Sequence, residues 1–327
     1  MNKELVEEIC KKNNLGNVIR DVCAVSGGLL HKMWHIETEK GQYAIKELNE
    51  EIIKRVGVID SFELSESIAA QLVTVSIPAI AGLPNSSRVV QNISGVAVIV
   101  YEWIEGFTLS TDAASPDQAY LIGKLIGEIH KVNLKESRVQ IGLPQVFTNE
   151  HWQKVIAEFQ ERFPESILKL DQIIEWNSRT DGLLHKLELN LVVTHGDIDQ
   201  KNVIWKDNSH PYIIDWESVS RTNPGLEIVD ASLNWGGLVS GKIDTKSKEA
   251  VMCGYKSVGM SVSENISDLL LGCVMKWLPW LEFNIRRAVT SPKNTKEYEL
   301  GLSQTENTIR SISLILENID TWSENGN

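Results

Sequence analysis

Two short stretches constrain this 327-residue chain more than any others. The first is Val192-Val-Thr-His195-Gly196-Asp197-Ile198-Asp199-Gln200-Lys201-Asn202-Val203-Ile204, and the second is Pro211-Tyr-Ile-Ile-Asp215-Trp216-Glu217. In the first, an apolar run typical of a buried strand delivers a His-Gly-Asp turn, and an amide side chain follows five residues after Asp197. In the second, another apolar run ends in Asp215. Carboxylate, amide and carboxylate at strand ends are hard oxygen donors. Mg²⁺ accepts such a set when phosphate and water fill its other positions. The spare carboxylate is then suited to orient and deprotonate a hydroxyl nucleophile.

The flanking sequence falls into two parts. Residues 1–106 carry strand signals near 17–25, 32–38, 42–48, 87–91 and 95–101, and one amphipathic helix over 59–72. This predicts an antiparallel five-stranded lobe with one helix. Residues 107–327 show helical periodicity over 116–132, 150–163, 166–187, 225–238, 263–290 and 297–320, broken only by the β insert that holds the two stretches. With 42 % apolar and 23 % charged residues, the chain can bury a core in each part. A net charge of −12 argues against a nucleic-acid partner. Cys10, Cys23, Cys253 and Cys273 have no metal-ligand spacing and read as reduced thiols. The sequence shows neither a secretory leader nor a run long enough to span a bilayer, so no membrane partner and a cytoplasmic location are expected.

The pattern H-x-D-x-x-x-x-N, followed one short strand later by Asp, resembles the catalytic and metal-binding loops of the protein-kinase-like superfamily. Gly196 after His195, and Asp215-Trp216-Glu217 in place of Asp-Phe-Gly, make it similar to the aminoglycoside phosphotransferase and choline kinase branch. The resemblance covers roughly residues 20–235. It implies an α+β, bilobal kinase-like fold that binds ATP (GTP being possible) with Mg²⁺ between the lobes. Asp197 would be the catalytic carboxylate, and Asn202 and Asp215 the metal ligands. Lys46, in Gln42-Tyr-Ala-Ile-Lys46, would hold the α- and β-phosphates, fixed by Glu66 on the helix, with Glu63 the rival one turn earlier. Ser26, Gly27 and Gly28 would cover the phosphates, although the same turn suits a plain hairpin. Val100–Gly106 resembles the hinge, where the backbone of Glu102, Trp103 and Ile104 would meet the adenine edge.

The implied acceptor is a small hydroxylated molecule, and Asp199 beside the catalytic position favours a cationic one. Glu217, Trp235, Trp277, Trp280 and Glu282 are candidates to line its site. Core packing is the competing reading for the tryptophans, and an aromatic and acidic wall for an ammonium group the sharper one. The leading expectation is an aminoglycoside kinase. The alternatives are a kinase of choline, homoserine or another small metabolite, or a non-catalytic spore-coat or regulatory member. Lys201 either contacts the γ-phosphate or points outward. His195 is expected to brace its loop, His130 to serve packing or a helix dipole, and Asp230 to support the catalytic loop. Gly236–Lys242 matches a P-loop spacing, but Ile243 stands where a hydroxyl is required. His31 and His35 would stand ~13 Å apart on a strand, too far to share a metal.

Overall fold

The structure, a computed structural model, describes residues 1–25, 30–112, 114–165 and 170–324. In chain order, helix α1 (Lys3–Lys12) precedes strands β1 (Cys23–Val25), β2 (Lys32–Thr38) and β3 (Gly41–Glu47). Helices α2 (Glu50–Ile53) and α3 (Val58–Thr74) follow, then strands β4 (Gln91–Ile93) and β5 (Val96–Glu102). Next come helices α4 (Pro116–Val132), α5 (Asn149–Arg162), α6 (Asp171–Arg179) and α7 (Leu184–Leu187). Strands β6 (Val192–Thr194), β7 (Val203–Trp205), β8 (Pro211–Ile213) and β9 (Ser220–Thr222) form the insert. Helices α8 (Pro224–Trp235), α9 (Thr245–Ser257), α10 (Ile266–Thr290) and α11 (Lys296–Glu324) complete the order. The chain divides into two units, Met1–Leu109 with Lys201–Val219, and Ser110–Gln200 with Ser220–Asn327.

In the first unit, five antiparallel strands run in the order β1-β2-β3-β5-β4. The two-residue period of a strand sends neighbours on β3 to opposite faces. Ile45 joins Val6, Ile9, Ile36, Val98 and Val100 in one core. Lys46, paired with Met33 and Ile99, turns to the other face, with its ammonium 6.0 Å from the Phe62 ring of α3. That helix buries Phe62, Ser65, Glu66, Ala69 and Leu72 at the i, i+3, i+4 spacing of one stripe. Glu66 is therefore an inward residue. The β7–β8 hairpin groups with this unit through the backbone. Trp205 exchanges bonds with Phe107, Ile213 N–H donates to Pro78, and Ile80 N–H donates to Ile213. The expected strand over 17–25 shrinks to β1 plus a lone bridge of Val18 to Thr38, and that over 87–91 shifts to β4.

The second unit is helical around a core that includes Trp152, Phe159, Ile173, Leu233, Leu270, Val274, Leu281 and Ile312. Its only strand pair among the described residues is β6 with β9, in the register Val193 to Arg221. The helix expected over 166–187 is instead α6 and α7, separated at Gly182, whose φ is +72°; residues 166–169 lie outside the described residues. Helix α9 was not expected from periodicity. It crosses α4 so closely that a Cβ on Gly123 would lie 1.9 Å from the Val251 carbonyl oxygen, and one on Gly254 2.0 Å from that of Tyr120. The P-loop look-alike is a 3₁₀ turn at Leu238–Ser240, flanked by Gly237 and Gly241 at positive φ. Among the described residues no helix is long and apolar enough to cross a membrane.

Candidate active site

The β7–β8 hairpin brings the two expected metal ligands to one end. Val203 pairs with Ile213, and one step further Ile214 N–H donates to the Asn202 carbonyl at 3.0 Å. Asn202 is buried, and Asp215 follows in the left-handed region at φ 63°, ψ 64°. An aspartate tolerates that conformation better than most residues, and such strain concentrates at functional positions. The next residues form a 3₁₀ turn, Trp216–Ser218, anchored by fully buried Trp216 and packed on α3.

Lys46 Nζ donates to Asp215 Oδ1 at 3.0 Å and also to Glu217 Oε1. Burial opposes the charge on Lys46, but Asp215 and then Glu217 outweigh it and raise its pKa. Glu217 Oε2 lies 3.4 Å from His31 Nε2, while His31 Nδ1 accepts the Asn49 N–H at 3.0 Å. With Nδ1 so engaged, Nε2 carries the proton that faces Glu217. Burial works against the Glu217 carboxylate, yet His31 and Lys46 together bring its pKa down to about 2. Glu217, expected at the acceptor, is thus seated against the lysine.

Glu66 takes a different place from the one expected. Its carboxylate accepts the Tyr101 hydroxyl and the Gly82 N–H, each at 2.6 Å, and among the described residues no ion pair joins it to Lys46. Burial raises its pKa, with the Tyr101 and Gly82 hydrogen bonds pulling the other way. Two neutral donors suit a carboxylate whose charge is costly, whereas Lys46 is drawn to the two acids of the 215–217 turn. Glu63 instead caps the 89–90 backbone, accepting the N–H groups of Val89 and Val90 at 3.0–3.2 Å. Ser26, Gly27 and Gly28 lie outside the described residues. At the expected hinge, Glu102 ends β5, and Trp103 N–H is taken by the Gln42 carbonyl at 3.1 Å. An adenine edge there would have to meet the backbone of Glu102 and Ile104.

Among the described residues, no group of three or more His, Cys, Asp and Glu side chains forms a metal cage. Asn202 and Asp215, carried on one hairpin end, are hard oxygen donors of the kind that would hold Mg²⁺ together with phosphate oxygens and water.

The second unit presents Asp197. Strand β6 ends at Thr194, and fully buried His195 accepts the Asp197 N–H on Nδ1 at 3.2 Å, which is the bracing role expected of it. Between them Gly196 has φ +83°, a region favouring glycine. Gly196 N–H donates to Glu227 Oε1 at 2.6 Å, and its carbonyl accepts Lys276 Nζ at 2.9 Å. Glu227 Oε2 is 2.6 Å from His130 Nε2, and His130 Nδ1 is 2.9 Å from the Tyr255 hydroxyl. Although burial opposes its charge, His130 and the Gly196 N–H leave the Glu227 pKa lowered. Asp230 reaches the loop indirectly, through Lys276 at 2.6 Å. Asp199 N–H donates to the Asp197 carbonyl at 3.1 Å, and Lys201 is exposed.

The acceptor candidates scatter. Trp235 is fully buried and donates Nε1–H to the Ile198 carbonyl at 2.9 Å, so it holds the loop from behind and cannot form a wall for a ligand. Trp277 packs against the helical core. Trp280 is 37 % exposed and stacks on Phe283 at 5.5 Å. Glu282 is held by Arg286 and by His151 at 3.1 Å. Sequence reasoning missed Glu227, Lys276, Tyr101 and the partnership of His31 with Glu217. Only Glu227 left a trace, one helical turn before Asp230; Lys276 stands 80 residues beyond the glycine it holds.

The phosphotransferase enzyme family model matches residues 21–244, and the chain belongs to that family. It is therefore an enzyme of the phosphotransferase class. Its fold is that of solved kinases. A spectinomycin phosphotransferase in complex with ADP and spectinomycin superposes with TM-score 0.68 at 15 % identity, over 96 % of this chain and 98 % of that one. A choline kinase from Streptococcus pneumoniae gives 0.64 at 16 %, over 95 % and 99 %. A Plasmodium vivax ethanolamine kinase gives 0.58 at 14 %, over 88 % and 82 %. No curated protein matches the chain in sequence.

Proposed function

We propose that the protein transfers the γ-phosphate of ATP to a hydroxyl of a small cationic acceptor, with an aminoglycoside antibiotic as the first candidate. The observation that carries this reading is the hairpin end that bears both Asn202 and Asp215, with the Lys46 ammonium on Asp215. Lys46 turns its charge to the α- and β-phosphates. Asn202 and Asp215 would hold Mg²⁺, which neutralises phosphate charge when bound. Asp197 accepts a hydrogen bond from the acceptor hydroxyl, aligns it for in-line attack and takes its proton. Positioning and charge neutralisation supply most of the rate in such transfers. Asp199 beside Asp197, and the overall charge of −12, favour an ammonium-bearing acceptor.

Coupled ADP release tests this with a panel of aminoglycosides, spectinomycin, choline and ethanolamine. Turnover with an aminoglycoside is expected; turnover with choline or ethanolamine alone would make the protein an amino-alcohol kinase. Asp197→Asn should lower kcat by about 10³-fold or more while leaving the ATP-induced rise in Tm intact. Near wild-type turnover in that variant would overturn the assignment.

A further inference from the structure

We propose that Lys276 is a positioning residue for the reaction: it fixes the peptide unit that carries Asp197 and supplies the positive charge beside that carboxylate. The inference rests on the reading of Asp197 as the group that receives the acceptor's proton.

The peptide unit joining Gly196 to Asp197 is held at both of its polar atoms. Its oxygen accepts Lys276 Nζ at 2.9 Å, and its N–H donates to His195 Nδ1 at 3.2 Å. The Asp197 Cα is bonded to the nitrogen of that unit, so the plane of the unit sets the direction from which its side chain departs. A free glycine at φ +83° has wide conformational freedom. Here Glu227 takes the Gly196 N–H at 2.6 Å, a further restraint on that glycine.

Lys276 arrives from α10 and Glu227 from α8, so two separate helices grip one glycine. The groups facing the ammonium are Asp230 and Glu227 of α8 and Asp197 of the loop, with buried Cys273 one turn earlier on its own helix. Asp230 Oδ2 binds Nζ at 2.6 Å, while Asp230 Oδ1 has no hydrogen-bond partner among the described residues. Asp230 therefore serves the lysine. Burial disfavours the ammonium, but Asp230, then Asp197 and Glu227, raise its pKa above the ordinary lysine value, so it stays charged wherever the enzyme works. A fixed cation near Asp197 favours the ionised carboxylate, the form that can accept a proton.

The test compares Lys276→Met, Lys276→Arg and Asp230→Asn in the full chain. ADP release is followed from pH 5 to 9 with whichever of the aminoglycosides, spectinomycin, choline or ethanolamine turns over fastest, or with water where none does. Lys276→Met should lower kcat about 10- to 100-fold, with KM for ATP nearly unchanged. It should also move the acid limb of kcat/KM up by about 0.5–1 pH unit. Lys276→Arg keeps the cation and should restore the limb. Asp230→Asn removes the lysine's main counter-charge, leaves more net positive charge near Asp197, and should move the limb down. A purely structural role would lower activity in all three without moving the limb, and an unmoved limb, or a shift of the same sign in Lys276→Met and Asp230→Asn, overturns the proposal. Should Lys276→Met fail to fold in thermal melts, the limb of Asp230→Asn decides: lower supports, unmoved overturns. Activity in Asp197→Asn would instead remove the underlying reading, so the two failures are distinguishable.

Discussion

Two glutamates of the first unit sit in opposite electrostatic situations, and this makes their substitution informative. Glu217 faces Lys46 and His31, and its pKa lies at about 2 against an ordinary 4.5. A carboxyl depressed in the fold contributes stability that is present above pH 4.5 and lost as pH falls towards 2. Glu217→Gln should therefore cost about 2 kcal/mol at pH 7, after discounting the full shift for solvent screening. The difference from wild type should vanish near pH 2, as urea unfolding at both pH values would read. Glu66 is the reverse case, because burial raises its pKa and its ionised form is the disfavoured one. Glutamine there keeps one oxygen for the Gly82 N–H and can donate its amide N–H to the Tyr101 oxygen, whose hydroxyl proton rotates away, so Glu66→Gln should stay within about 1 kcal/mol of wild type. The family resemblance favours Glu66 over Glu63 by its distance from Ile77-Pro78; that it lies on the buried stripe with Phe62 and Ala69 emerged only from the fold. So did its partners, because Tyr101 and Gly82 come from other elements.

At the scale of elements, the sharpest constraint is the crossing of α4 and α9. Each helix presents a glycine to the other's backbone, Gly123 to Val251 and Gly254 to Tyr120. Backbone cannot rotate aside as a flexible side chain can, so one added methyl forces the helices apart. Gly123→Ala and Gly254→Ala should each destabilise the protein by about 3 kcal/mol, seen as a clear fall in Tm. Helix α9 escaped the periodicity argument for the same reason. Part of its buried stripe is a glycine, which carries no hydrophobic signal. Strands β2, β3 and β5 were legible because alternation and β-branched residues mark them directly. The shortening of the first expected strand to Cys23–Val25 was not, since pairing with β2 decides which residues join the ladder.

At the scale of the whole molecule, the groups read as nucleotide-binding lie in the first unit and Asp197 in the second. Nucleotide affinity and turnover should therefore separate by mutation. Saturating Mg-ATP at 100 times Kd should stabilise the wild type by about 2.7 kcal/mol. Lys46→Ala should lose most of that gain in a thermal shift assay, while Asp197→Asn keeps it. The family and its reaction class were written in the local sequence, because the H-x-D-x-x-x-x-N and Asp-Trp-Glu stretches are short-range patterns whose spacing survives any change in the surrounding packing. The sequence marked Val203–Trp205 and Tyr212–Ile214 as extended, but the pairing register that puts Asn202 and Asp215 at one hairpin end was set by the strand pairing itself. Only the tertiary structure decided which charges meet: Glu217 and not Glu66 on Lys46, Glu227 and Lys276 on Gly196, and Trp235 behind the loop instead of beside a ligand. Those pairings join residues up to 171 positions apart, and their choice follows from burial and desolvation, which no local pattern records.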